Sequence, residues 1–418
     1  MQSHRLNNLI PIFFTILYLW LPTINSGIDA YAYAAAIKWG NELWWPHHLL
    51  YVPFGRLFFK FLSGISSIQP LELMQWINAI AAGLTLKYLL EILKLNKVET
   101  PGIWVLFVGS CFGFARFVTE NETYMLPILA GTIATFCFVK YVLHKNQLQL
   151  VLSSLIFGLA ILFHQIHVFW FLGLALIFVS KRGLNSKALM LFILPAGLLV
   201  LGTYLLVFYA VNPFHDKDII RFMLHDYVSG SAGTSIGLAN FYMTGISFIR
   251  TFFQIHGYIL PLIKSYPVLW VVIGLLGVLC ILAVKLNFSA TIQKRKLENN
   301  LSKGVLWAII LHLAFAFFSV GNAEFMAMLP ILIAIYLGLS YRFYNKALLV
   351  KGCILLFWNT TFALAPLHFL DMNGTVALAE KIHVNKNALW ILAEPQKIEN
   401  YYNYKFGADA SSNLILKI

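Results

Sequence analysis

The chain has 418 residues, of which 60% are hydrophobic, 16% aromatic and only 11% charged. A soluble domain carries roughly 25% charged residues, so most of this chain must lie in lipid and an ordinary soluble enzyme is excluded. Thirty Lys and Arg against seventeen Asp and Glu leave a formal charge of +13, which in a membrane protein marks cytoplasmic loops rather than a nucleic-acid surface, so no nucleic-acid partner is expected.

A spanning helix needs about 20 mostly apolar residues. In chain order, candidates fall at 8–24, 71–93, 102–118, 123–142, 188–211, 267–285, 304–320, 325–341 and 347–366. The first carries Pro11 and Pro22 and no small-x-small pattern before Gly27, which reads as an uncleaved span rather than a signal peptide. The run from Leu148 to Val179 would make a helix roughly 48 Å long, too long for one crossing of a 30 Å core. It is read as two short spans broken near His164-Gln165-Ile166-His167. The basic flanks Lys140 and Lys145 on one side and Lys181, Arg182 and Lys187 on the other then both stay inside. So do His4-Arg5, Lys94 with Lys97, Lys294-Arg295-Lys296 with Lys303, and Arg342 with Lys346. Eleven spans result, in an all-α polytopic membrane protein.

Two long segments remain outside. Residues 25–70 are rich in aromatics and interrupted by Lys38, Arg56 and Lys60, as interfacial helices are. Residues 212–266 carry a run of charges and a Gly/Ser-rich loop from Ser229 to Gly237. From about residue 367 the chain is polar; Ala388–Ala393 predicts a strand and Pro395–Phe406 a short helix ended by Gly407. The expected units are a transmembrane body over 1–366 and a small extracytoplasmic α/β segment over 367–418. Cys111, Cys137, Cys280 and Cys353 all sit in apolar runs and predict no disulfide framework or zinc cluster.

With the spans placed, Asp29, Glu42, Glu120, Glu122 and Glu324 all fall on the outer face, and the His164/His167 break opens to the same side. Together they predict a polar pocket at the outer membrane boundary, with carboxylates for base catalysis or metal binding and imidazoles for hydrogen bonding. Each has a structural alternative: Asp29 as a helix N-cap, His164 and His167 as core histidines sharing a helix face, Arg116 and Glu120 as an i,i+4 ion pair. Arg56, Lys60 and Arg250 are cations suited to a phosphate.

The segments Asp29-Ala-Tyr31-Ala-Tyr33, Pro46-His47-His48-Leu-Leu-Tyr51, Thr119-Glu120-Asn121-Glu122-Thr123-Tyr124 and Asn322-Ala-Glu324-Phe325 resemble the GT-C superfamily of polytopic glycosyltransferases, which includes the protein mannosyltransferases and the bacterial aminoarabinose and arabinose transferases. The resemblance covers essentially the whole chain. It implies an inverting enzyme of the bacterial inner (plasma) membrane that works on the extracytoplasmic face, with a sugar on a polyprenyl phosphate as donor and a glycan, lipid or protein as acceptor. Asp29 would be the base, Glu120 or Glu122 the second acid, and Arg250 or His256 a donor-phosphate contact. Tyr31, His47, His48, Arg56, His164, His167 and Glu324 would complete the substrate site. A divalent cation, Mg or Mn, would sit on Asp29 and Glu122, although many members have a second acid where Ala30 stands here. The Trp-Trp-Asp signature of oligosaccharyltransferases is replaced by Trp44-Trp45-Pro46, which argues against en-bloc transfer to Asn. A lipid-linked oligosaccharide flippase or secondary transporter, and an oligosaccharide polymerase, are the alternatives. The first would need ionisable residues along a path near the midplane.

Overall fold

The computed structural model describes residues 2–180, 183–229, 236–288, 293–295, 300–372, 374–385, 388, 390–392, 395–407 and 415–417. Lys181, Arg182, Lys296 and most of the Gly/Ser-rich stretch after Ser229 lie outside them, as do Leu389 and Ala393 of the C-terminal strand.

The elements run α1 Gln2–Trp20, α2 Ile28–Trp39, α3 Tyr51–Ser63, α4 Pro70–Leu95, α5 Pro101–Ser110, α6 Phe112–Val118, α7 Met125–His144, α8 Gln147–Phe163, α9 Val168–Ala175 and α10 Ser186–Ala210. Then follow α11 Ile219–Met223, α12 His225–Val228, α13 Leu238–Phe252, α14 Ile259–Ser265, α15 Leu269–Phe288, α16 Asn300–Phe318, α17 Leu329–Ser340, α18 Asn345–Asn359, α19 Ala365–Phe369, α20 Thr375–Val384 and α21 Pro395–Phe406. Strand is confined to three two-stranded ladders among the described residues; the parallel one pairs Trp390–Leu392 with Ile415–Lys417 across α21.

Among the described residues, seven helices are long and apolar enough to cross a membrane. The bent pair α5–α6 and three shorter apolar helices, Asn7–Trp20, Gln147–Phe163 and Gln165–Phe178, take the places of the other expected spans. The core is built from α1–α10 and α16–α18. By contrast α15 buries only 11% of its most apolar stretch, leaving Trp270, Val271 and Ile281 exposed. So much apolar surface is tolerable only where its neighbour is lipid.

Two breaks shape the bundle. At Cys111 the chain turns by 67° between α5 and α6, although no Pro or Gly stands at the break. Asn359 of α18 takes up the carbonyl of Ser110 at 2.7 Å and that of Phe252 at 2.7 Å, so backbone groups at this depth keep a partner. At the end of α8, His164 is extended (φ −160°, ψ 120°), and the chain re-enters as α9. The predicted interruption is there.

The loop helices differ from each other. α3 keeps an exposed apolar face, made by Leu57, Phe58 and Phe61. α2 does not lie at the headgroups as the sequence predicts. Tyr31, Tyr33 and Ile37 are buried, and the helix is packed between α4 and α21, with Tyr31 against Tyr401 at 5.1 Å between ring centroids. Helix α21 ends where predicted, Gly407 taking φ +93°.

At one end of the bundle the basic residues gather: Arg295 donates to the carbonyls of Lys97 (2.6 Å) and Gly338 (3.2 Å), and Arg342 pairs with Glu99 at 3.1 Å. The acids lie at the other end of α4, whose 26 residues rise about 39 Å.

Candidate active site

The turn between α6 and α7 is a loop with almost no exposed surface: Glu120 is 4%, Asn121 0% and Glu122 5% exposed. A buried loop must find partners for its polar groups, and here the neighbouring helices supply them. Asn78 of α4 donates to the carbonyls of Glu120 (2.8 Å) and Glu122 (3.0 Å). Asn121 donates to the carbonyl of Ala30 at 2.7 Å and accepts from the Tyr51 hydroxyl at 2.8 Å. Thr23 donates to the carbonyl of Thr119 at 2.9 Å, and the backbone N–H of Gly27 donates to the Glu120 carboxylate. The turn is thereby bolted to the start of α2.

Gly27 is the N-cap of α2 and Asp29 its second residue, so the structural alternative for Asp29, a capping side chain, is not realised. Its carboxylate stands at the positive end of the helix and opens into a solvent-facing cavity of about 200 Å³ walled by α2, the 39–45 loop and α21. Glu324 lies across from it, on the turn Ala323–Met326, accepting from Tyr124 at 3.0 Å.

These carboxylates feel one another. Confinement, then the charge of Glu324, raises the Asp29 carboxyl above the ordinary aspartate range, with His47 acting in the opposite sense. Burial also raises Glu120, against the pull of Arg116, which stands 3.8 Å away. Glu122 is pushed well above the glutamate range by burial and then by Glu120, Glu324 and Asp29. Arg250 of α13 lies close enough to Arg116 for the two charges to interact, and its Nε donates to Gln254 at 3.3 Å. Arg116 is thus the guanidinium paired with the acids, and Arg250 stands beside Arg116.

The histidines form a second cluster. His47 is ion-paired with Asp226 of α12, which lowers the Asp226 carboxyl against the effect of its burial. His48 is buried, stacked on Trp45 at 5.8 Å and edge-on to Tyr33 at 5.0 Å. The His164 ring stands 6.2 Å from that of His47 and 4.9 Å from Tyr124. His167 lies deeper, on Trp170, and faces His312 at 6.3 Å.

Three predicted substrate contacts are occupied elsewhere. Tyr31 belongs to the apolar cluster with Tyr401 and Tyr404. Arg56 closes the C-terminal end of α2 by donating to the carbonyls of Ile37 (2.7 Å) and Lys38 (3.1 Å). The His256 ring bonds the carbonyl of Phe362 at 2.8 Å, away from the acids. No group of three or more His, Cys, Asp or Glu able to hold a metal occurs among the described residues. Protein ligands therefore do not complete the expected Asp29–Glu122 site for Mg or Mn, and the chemistry below is derived without it.

The sequence reading missed Asn78, His312, Asp226 and the α21 wall. The first two carried a signal, since a polar side chain inside an apolar span is costly unless it serves a partner. Asp226 and α21 reach the site from far along the chain, and local pattern could not place them.

A second cleft, about 340 Å³, opens between α8, α9 and α10. It is apolar except at Gln165 and Tyr204. Gln165 reaches the carbonyls of Met223 (2.7 Å) and Pro46 (3.2 Å), and the Tyr204 hydroxyl donates to Pro46. The polar end of this cleft therefore abuts the segment that carries His47.

No protein-family model and no curated protein sequence matches the chain. Among solved structures, the chain is similar to the Archaeoglobus fulgidus oligosaccharyltransferase in complex with Zn and sulfate. That match has a TM-score of 0.47 and 11% identity over 99% of this chain, which spans 62% of the archaeal one. It is also similar to ArnT from Cupriavidus metallidurans bound to undecaprenyl phosphate, with a TM-score of 0.38 and 12% identity over 99% of this chain and 88% of that one.

Proposed function

We propose that the protein is a membrane glycosyltransferase that moves a sugar from a polyprenyl-phosphate carrier to an acceptor on the extracytoplasmic side, with inversion at the anomeric carbon. The observation that carries this reading is the position of Asp29: a carboxylate with no hydrogen bond of its own among the described residues, opening into a solvent-facing cavity beside a buried acidic turn whose Glu120 pairs with Arg116. A lipid-linked sugar presents its anomeric carbon at headgroup level, and acids placed there have no substrate to meet in a nucleotide sugar.

In the proposed reaction the acceptor hydroxyl attacks the anomeric carbon, Asp29 takes the hydroxyl proton, and the bond from that carbon to the phosphate oxygen breaks. The phosphate leaves with the electron pair on the opposite face, where Arg116 and Arg250 oppose its charge. The apolar cleft between α8, α9 and α10 would take the carrier's isoprenoid tail, its polar mouth at Gln165 delivering the phosphate beside His47.

A transporter reading has one observation in its favour. His167 and His312 lie within apolar helical segments, and their ring nitrogens find no hydrogen-bond partner among the described residues. The test separates the two: purified full-length protein offered a panel of polyprenyl-phosphate sugars should release polyprenyl phosphate. Lipid movement across a proteoliposome membrane without any such release would replace the enzyme by a flippase.

A further inference from the structure

The cavity in front of Asp29 has a composition that points to what enters it. Its walls are two indoles, Trp39 and Trp45, four amides, Asn41, Gln396, Asn400 and Asn403, and the carboxylates Asp29 and Glu42, over a floor of small α2 residues. Both indole N–H groups are already spent: Trp39 donates to the carbonyl of Asn403 at 2.8 Å and Trp45 to that of Glu42 at 2.6 Å. Their ring planes are thereby held, and Trp39 remains 44% exposed. The amides are only partly used. Asn400 donates to the carbonyl of Ile28 at 3.2 Å, and the Asn403 side-chain oxygen is enclosed with no partner among the described residues.

We propose that this cavity is a carbohydrate subsite and that the acceptor is a glycan, read by α21. The identification rests on the transferase reading above and names its acceptor. A sugar ring has apolar C–H faces that lie on aromatic planes and a rim of hydroxyls that both donate and accept. Asn and Gln offer both functions in one side chain and carboxylates accept. A peptide acceptor would be held through its extended backbone, and no free strand edge borders the cavity among the described residues. A lipid acceptor would need an apolar entrance, and that belongs to the other cleft. The volume suits one sugar ring, with its attacking hydroxyl towards Asp29. The specificity determinants are then Trp39, Gln396, Asn400 and Asn403, three of them on a helix that belongs to no span.

The test is binding, which needs no donor. Full-length protein in detergent is titrated by intrinsic tryptophan fluorescence with methyl pyranosides and short oligosaccharides covering hexoses, pentoses, amino sugars and uronic acids, and with Ser-, Thr- and Asn-containing peptides. At least one glycan should saturate. Gln396→Ala, at an exposed position, and Asn400→Ala should each weaken it by about fivefold to tenfold, as loss of one or two hydrogen bonds does. Trp39→Phe should remove most of the signal change. Offering the same glycan free or on an alkyl chain tells its source: equal affinity identifies a free glycan, tighter binding of the lipidated form a glycolipid headgroup, and both support the subsite. Failure of every glycan to saturate overturns the proposal, as does saturation by a peptide alone or a glycan affinity unmoved by both α21 substitutions. If glycans bind here but no polyprenyl-linked sugar is consumed, the subsite stands and the transferase reading falls; if donors are consumed and only peptides accept, the reverse holds.

Discussion

Glu120 and Glu122 lie in a turn with every residue from Thr119 to Tyr124 buried, whereas Asp29, on the helix bolted to that turn, lines an open cavity. The backbone of the turn spends its hydrogen bonds on Asn78 and Thr23, and the Glu120 carboxylate receives the N–H of Gly27. Asp29 gives its carboxylate no such tie. Glu120 is tied into the frame through its carboxylate and Glu122 through its backbone carbonyl, whereas the Asp29 carboxylate carries no hydrogen bond among the described residues. Carboxylates that look equivalent in sequence are thus assigned different work by their surroundings.

The largest effect should come from breaking the free side of this contrast. Asn cannot take a proton, and loss of a general base costs on the order of 10² to 10⁴ in rate. Asp29→Asn should therefore fold and bind donor yet lose turnover by that factor in the polyprenyl-phosphate release assay, while Glu42→Gln at the cavity rim changes it far less. Near-normal turnover would pass the base to Glu120 or Glu122. Because the Asp29 carboxyl is raised, wild-type turnover should climb as pH rises through values above the ordinary aspartate range.

Next comes the frame. Asn121→Ala strands the carbonyl of Ala30 and the Tyr51 hydroxyl, and leaving buried groups unpaired should cost about 2–3 kcal/mol of stability, read as lower thermal resistance of the detergent-solubilised protein. If the melting temperature is unmoved, the turn is not the scaffold argued here.

The third effect depends on pH. A carboxyl raised on folding adds stability in full below its unfolded pKa and loses it as pH rises through the folded value. Glu122 is raised well above the glutamate range, so wild-type stability should fall as pH climbs from that range through the raised value. Glu122→Gln should flatten the profile; an unchanged slope would place its source in another group.

The smallest concerns Arg56. As a cap on α2 carbonyls, Arg56→Gln should cost about 1 kcal/mol of stability and leave the donor KM where it was. A raised donor KM would return Arg56 to the phosphate.

The architecture was legible because lipid imposes a coarse grammar. Runs of about 20 apolar residues, Lys and Arg on one side and acids on the other, suffice to order the helices, and the His164 break followed from a run too long for one crossing. The acids of the site were legible for the same reason, since ionisable groups are driven to the ends of spans. What stayed hidden has two physical causes. The bend at Cys111 depends on Asn359 donating to the Ser110 carbonyl, a contact made across more than 200 residues. The roles of Arg56 and Tyr31 depend on which neighbour reaches them first, and for Tyr31 that neighbour is Tyr401. Pattern within a helix carries no trace of either.

The packing of α21 on α2 also sets a timetable. Tyr31 is made before Tyr401, and between them the chain must cross the membrane repeatedly. The wall that closes the Asp29 cavity arrives only after every span has been threaded, so a chain interrupted during insertion carries its acids at the surface without the side chains of residues 396–403 in front of them. Long-range contacts of this kind are made late. Completion of α21 is therefore the event that closes the cavity in front of Asp29.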